Sequence, residues 1–246
     1  MIKRLVTLQI FPANTSDKRI LDGCLEAVES EPLITPTHAS KDERKRAPYD
    51  RSALVEAAGG RKVGGAFLWR AKMPKYTHGS LSTSNISHNK ITVDYDAGLN
   101  DESVPLLFEA WARLAENLRP EFGFVHGVPD IESPSAAAYN YGLRLKIKDL
   151  RDNGFRLIHP RTWFGPDLVS VIGKELLLDL PHTRTTSWGG VQLDLVEEPW
   201  AADFETMYER QRDVMRIFSA WGLMGDYSSV VRAVPGPRWT PRLWKL

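Results

Sequence analysis

A change of hydrophobic period within one short stretch constrains this chain most. Ile91, Val93 and Tyr95 alternate with Thr92, Asp94 and Asp96, the period-two pattern of a half-buried strand. The pattern then switches: Val104, Leu107, Phe108, Trp111, Leu114, Ala115 and Leu118 recur at the three-and-four spacing of an amphipathic helix. Asp101, Glu102 and Pro105 suit the first turn of that helix, where carboxylates meet the positive end of the helix dipole, and Pro120 lies just past its end. A strand and a helix this close, each with one apolar face, must bury those faces together.

The remaining patterns repeat the mixture. Ile2, Val6, Leu8 and Ile10 open the chain as a strand, and a helix runs from about Ser16 to Ser30 on the stripe Ile20, Leu21, Cys24, Leu25 and Val28. A short helix over 50–58 stops at Gly59-Gly60, and Val63, Phe67 and Trp69 share one strand face. The Ser-, Thr-, His- and Asn-rich stretch 76–89 reads as a loop, which would let 63–70 pair with 90–96 like a hairpin. Further on, 122–128 reads as a strand, whereas 133–150 carries both helical and alternating signals. Pro166 to Ile172 is a short helix closed by Gly173, and 190–196 is a strand. A long helix over about 202–221 would bury Phe204, Met207, Tyr208, Met215, Phe218 and Trp221.

The expected architecture is therefore α+β, with antiparallel sheet or sheets and helices packed on one side. Residues 1–226 form the domain, which a faint twofold echo would divide into halves at about 1–130 and 131–226. Residues 227–246 form a tail rich in Pro, Trp and Arg, expected to pack through its tryptophans.

Charge and cysteine content narrow the function. The formal net charge is +1, which argues against a dedicated nucleic-acid binder. One cysteine, Cys24, permits neither an internal disulfide nor a cysteine-built zinc site, and its helical spacing marks it as a core residue. No apolar run is long enough for a membrane span and the start lacks a signal-peptide core, so a cytoplasmic protein is expected.

Catalytic signatures are absent. There is no GxSxG elbow, phosphate-binding loop, GxGxxG fingerprint or HExxH pair, and the six histidines are scattered. Asp94 and Asp96 share one strand face and could hold a divalent cation together with a histidine; His88 near Asp94, or His126 near Asp130, could meet in space. That makes a metal-dependent hydrolase the alternative reading; the solvent face of a strand is the ordinary one. We expect no enzyme, no cofactor and no resident metal.

Against this background, Trp163-Phe164-Gly165-Pro166 through Val169 and Ile172-Gly173 resembles the W-F-G-P-x-x-V-x-x-I-G segment of the Immunity protein 52 family, immunity proteins of bacterial type VI secretion and polymorphic toxin systems. The stretches 188–193, the helix from Asp203, 108–111 and 122–125 fit the same pattern. The resemblance implies a cytoplasmic α+β antitoxin that neutralises a cognate toxin, a nuclease effector with a restriction-endonuclease-like fold, without touching nucleic acid or membrane. It carries no catalytic residues. A nuclease presents a basic cleft, so acidic groups are the natural contacts. Asp94, Asp96, Asp101 and Glu102 form one candidate partner-binding set; Glu197 and Glu198 beside Trp200 form another. A third reading, a nucleic-acid accessory factor, would use the basic tail with Arg232, Arg238, Arg242 and Lys245.

Overall fold

The computed structural model describes residues 2–6, 18–58, 63–84, 90–95, 101–129, 131–141, 147–228 and 233–239. It divides into two compact units, one on residues 3–127 and the other on 1–2 and 128–246.

In the first unit the order is β1 (Ile2–Val6), α1 (Lys18–Glu29), β2 (His38–Ser40), β3 (Ala47–Pro48), α2 (Arg51–Ala58), β4 (Val63–Arg70), β5 (Tyr76–Ser84), β6 (Lys90–Tyr95), α3 (Ser103–Leu118) and β7 (Phe122–Pro129). The sheet runs β3-β2-β4-β5-β6-β1-β7, and β2 pairs antiparallel with β3 and β4, β5 with β4 and β6, and β1 with β6. In β6 the predicted alternation holds: Ile91, Val93 and Tyr95 are buried, while Lys90, Thr92 and Asp94 are half-buried. Helix α3 buries the predicted stripe from Val104 to Ala115, and Arg119 closes it in the left-handed region with φ 47°. Helix α1 turns Leu21, Cys24, Leu25 and Val28 inward and lies against α2, α3 and β5.

Two ion-pair groups fasten α1 to its neighbours. Arg51 of α2 donates to Asp22 at 2.6 Å and Glu29 at 3.0 Å, acids on one side of α1. Just past α1, the buried Glu31 accepts both arms of Arg113 from α3, at 2.8 and 2.9 Å.

The stretch 76–89 departs from expectation. Residues 76–84 are not a loop but the strand β5, so 63–70 and 90–95 do not pair with each other; β5 stands between them. A bulge between Tyr76 and His78 shifts the side-chain phase by one residue, so Tyr76, Gly79 and Leu81 are all buried although their spacing breaks the period of two. Gly79 is needed for close approach: a Cβ there would sit 3.0 Å from both Cβ and O of Leu68.

The second unit contains α4 (Pro134–Tyr139), α5 (Ile147–Asn153), β8 (Arg161–Phe164), α6 (Pro166–Ile172), α7 (Lys174–Leu178), β9 (Thr183–Thr185), β10 (Val191–Asp194) and α8 (Phe204–Ala220). Its sheet is the antiparallel set β8-β10-β9. The ambiguous 133–150 stretch resolves as helix at both ends: Ser133 caps α4, accepting from the Ala136 amide at 3.0 Å, and Ile147 opens α5. Trp163 and Phe164 are buried directly before α6, with Pro166 in its first turn. Gly173 ends α6 at φ 104°, a conformation that lets α7 start at once.

On α8 the buried stripe is rotated from the predicted one. Met207, Gln211, Val214 and Phe218 face inward; Phe204, Tyr208, Met215 and Trp221 are only half-buried. Gln211 is tolerated there because its amide donates to the Ile158 carbonyl at 2.8 Å. Phe155 is the hub of the core, with its ring centroid 5.6 Å from Phe164, 5.3 Å from Phe218 and 5.3 Å from Trp239. Trp239 is buried and its indole N–H donates to the Arg151 carbonyl at 2.8 Å, so this part of the tail packs through a tryptophan as expected. Among the described residues no helix is long and apolar enough to cross a membrane.

Candidate functional site

Two constructions in the second unit concentrate charge. The first is a buried polar chain across β8 and β10. Because Arg161 pairs in register with Asp194, and Trp163 with Gln192, four side chains line up on one face. Arg161 donates twice to Asp194, at 2.7 and 2.9 Å; Gln192 donates to Asp194 at 2.9 Å. The Gln192 carbonyl accepts from the Trp163 indole and from Arg184, each at 3.0 Å. Trp200 covers the Arg161 guanidinium with its ring centroid 5.6 Å away. Such a set of mutually satisfied groups specifies how two strands meet.

The second is an open cleft of about 710 Å³ lined by α8 and by the chain around Arg156 and 224–228. Arg212, Met215, Arg216 and Ser219 fall on one side of α8 through helical spacing. The opposite wall is assembled by backbone pairing: the Phe155 amide donates to the Leu223 carbonyl at 3.0 Å and the Gly225 amide to the Phe155 carbonyl at 2.9 Å. This brings Arg156 beside Tyr227. The Arg156 guanidinium lies over the Tyr141 ring at 3.8 Å and within 5.3 Å of the Tyr227 ring. Tyr227 is fixed in turn by donating to the carbonyls of Gly154 at 2.8 Å and Asp149 at 3.0 Å. Burial pushes its phenol pKa up, Asp149 adds to that, and Arg156 opposes it.

The residues singled out from sequence scatter. Asp94 is half-buried on β6, opposite His78 of β5 and Val6 of β1, and it offsets part of the burial that lowers the Lys90 pKa. Its neighbouring histidine in the sheet is thus His78; Asp96, His88 and Asp130 lie outside the described residues. Among the described residues no three His, Cys, Asp or Glu side chains gather as metal ligands. Asp101 and Glu102 are exposed ahead of α3. The exposed face they begin continues with Leu106, 56% exposed, Glu109 and Glu116. Glu197 and Glu198 are exposed, but Trp200 is half-buried against Arg161 and so does not stand free beside them.

The cleft residues were not anticipated. The spacing of Arg212, Met215, Arg216 and Ser219 was legible as one helix face, but the wall holding Arg156 and Tyr227 joins segments about seventy residues apart and leaves no local trace.

No family model matches the chain, so its likeness to the Immunity protein 52 family rests on the motif residues alone. No curated protein matches it. Among solved structures it is similar to the Pseudomonas aeruginosa T6SS protein PA0821, with a TM-score of 0.58 and 15% sequence identity over 87% of this chain and 75% of that one. At that identity the likeness is one of fold.

Proposed function

We propose that this chain is a non-catalytic binding protein that neutralises a secreted bacterial toxin, in the setting of a type VI secretion system. The observation that carries the reading is the fold shared with a T6SS protein of Pseudomonas aeruginosa over 87% of the chain. The W-F-G-P segment supports it, since its aromatic pair and proline build the strand-to-helix junction between β8 and α6. The outer face of α3 supplies the contact: Glu102 and Glu109 flank the exposed Leu106, an apolar anchor with an acid on either side. A toxin that grips nucleic acid carries a basic cleft, and an acidic face speeds encounter with it and occupies it.

The test is co-expression with the toxin encoded beside this chain. Growth should be rescued and the two proteins should co-elute, whereas toxicity with no complex would remove the reading. A glutamate-to-lysine change at Glu102 and Glu109 should slow association and flatten its salt dependence.

A further inference from the structure

We propose that the cleft between α8 and the 224–228 segment docks an extended acidic stretch of a partner polypeptide, whose carboxylates pair with Arg156 and Arg212. The toxin-neutralising reading is not needed for this site, which is built from other elements and opposite charge.

Among the described residues three arginines line the cleft and no acid does. Arg216 is partly compensated by Asp213 at 2.5 Å, but among the described residues neither Arg156 nor Arg212 has an ion-pair partner. Asp149 and Asp152 act on Tyr227 without lining the cleft. The Arg156 Nε is buried with no hydrogen-bond partner among the described residues, an unsatisfied donor at the cleft. Stacking on Tyr141 occupies the face of the guanidinium and holds the plane still, so its edge donors are set out for a planar acceptor. Arg212 is similarly held, 5.6 Å from the Tyr208 ring.

The lining has apolar members as well. Met215 and Met224 are flexible thioethers that adapt to whatever aliphatic or aromatic side chain lies on them. The α8 wall from Arg212 to Ser219 runs about 10 Å. That length matches about three residues of extended chain, with alternate side chains facing the same wall. Carboxylates on alternate residues of such a stretch would face this wall together. Nucleic acid would demand a longer cationic track than two uncompensated guanidiniums, in a chain whose net charge is only +1.

The test is fluorescence anisotropy with the full chain and three probes: a labelled peptide of alternating glutamate and leucine, its glutamine-for-glutamate counterpart, and a short single-stranded DNA. The glutamate peptide should bind, and the glutamine peptide should bind about tenfold more weakly or worse. The R156Q/R212Q double variant should weaken the glutamate peptide by a similar factor. R212Q alone changes an exposed residue and should weaken it by about threefold with an unchanged thermal midpoint. Equal binding of the two peptides, no binding by the glutamate peptide, or full binding by R212Q would each overturn the proposal. So would tighter binding of the DNA, lost in the double variant, which would assign the cleft to nucleic acid.

Discussion

Arg161 and Asp194 stand directly opposite each other on β8 and β10 and join through two parallel hydrogen bonds, Nε to Oδ1 at 2.7 Å and Nη2 to Oδ2 at 2.9 Å. Their side chains are only 3% and 11% exposed. Two buried charges in this geometry fix the register of the strand pair, because a slip of one residue would turn both to the other face and strand each without its partner.

Removing one member of that pair should therefore cost more than removing both. Asp194→Ala leaves a buried guanidinium uncompensated and should destabilise the protein by about 3–5 kcal/mol. An Arg161→Met, Asp194→Leu double change should recover most of that loss. Urea denaturation of the three proteins measures both; a double variant less stable than Asp194→Ala would show that the pair is not the main contribution.

Trp239 anchors the 233–239 segment into the Phe155 cluster. Truncation to alanine should cost about 3–5 kcal/mol through the lost burial and the cavity left beside Phe155. Thermal unfolding followed by near-ultraviolet circular dichroism tests this. A shift no larger than that of a surface substitution would mean that the Trp239 contacts are incidental.

The N-cap of α8 gives stability a defined pH dependence. Asp203 accepts from the Thr206 amide at 2.8 Å and from the Thr206 hydroxyl at 3.1 Å, and the amide bond first, then the hydroxyl, hold its pKa below the usual aspartate range. A carboxyl lowered on folding adds stability fully above its unfolded value of about 3.9 and loses it as pH falls through the folded one. Asp203→Ala should melt below the parent at neutral pH, and the two midpoints should converge under pH 3.9 or so. A gap constant with pH would rule out the ionised cap as its source.

Cys24 is a reporter of opening. It is 4% exposed, and burial pushes its thiol up to about 12. A thiol that stays protonated and covered does not react. Native protein at mildly alkaline pH should resist a disulfide-exchange reagent and should react at once in denaturant. Rapid labelling without denaturant would mean that α1 opens readily.

How much of this was legible can be read from particular elements. The β6 alternation and the α3 stripe were plain because each element buries one face and its residues keep strict phase along the chain. Strand β5 was hidden, since its bulge breaks that phase and its hydroxyl-rich composition reads as a turn. The α8 stripe was misjudged because Gln211 occupies a core position that only the distant Ile158 carbonyl makes acceptable.

The same distinction divides the candidate sites. The acids at 101 and 102 lie ahead of a helix whose start was readable, so their exposure followed from local pattern. Local periodicity thus determined which segments are strands and helices and which faces they bury. Whether Trp200 stands free or covers Arg161, and that Arg156 meets Tyr227 on one wall of a cleft, was decided by pairings between remote segments, because a side chain's neighbours in space are set by the packing of whole elements and are not encoded at its own position.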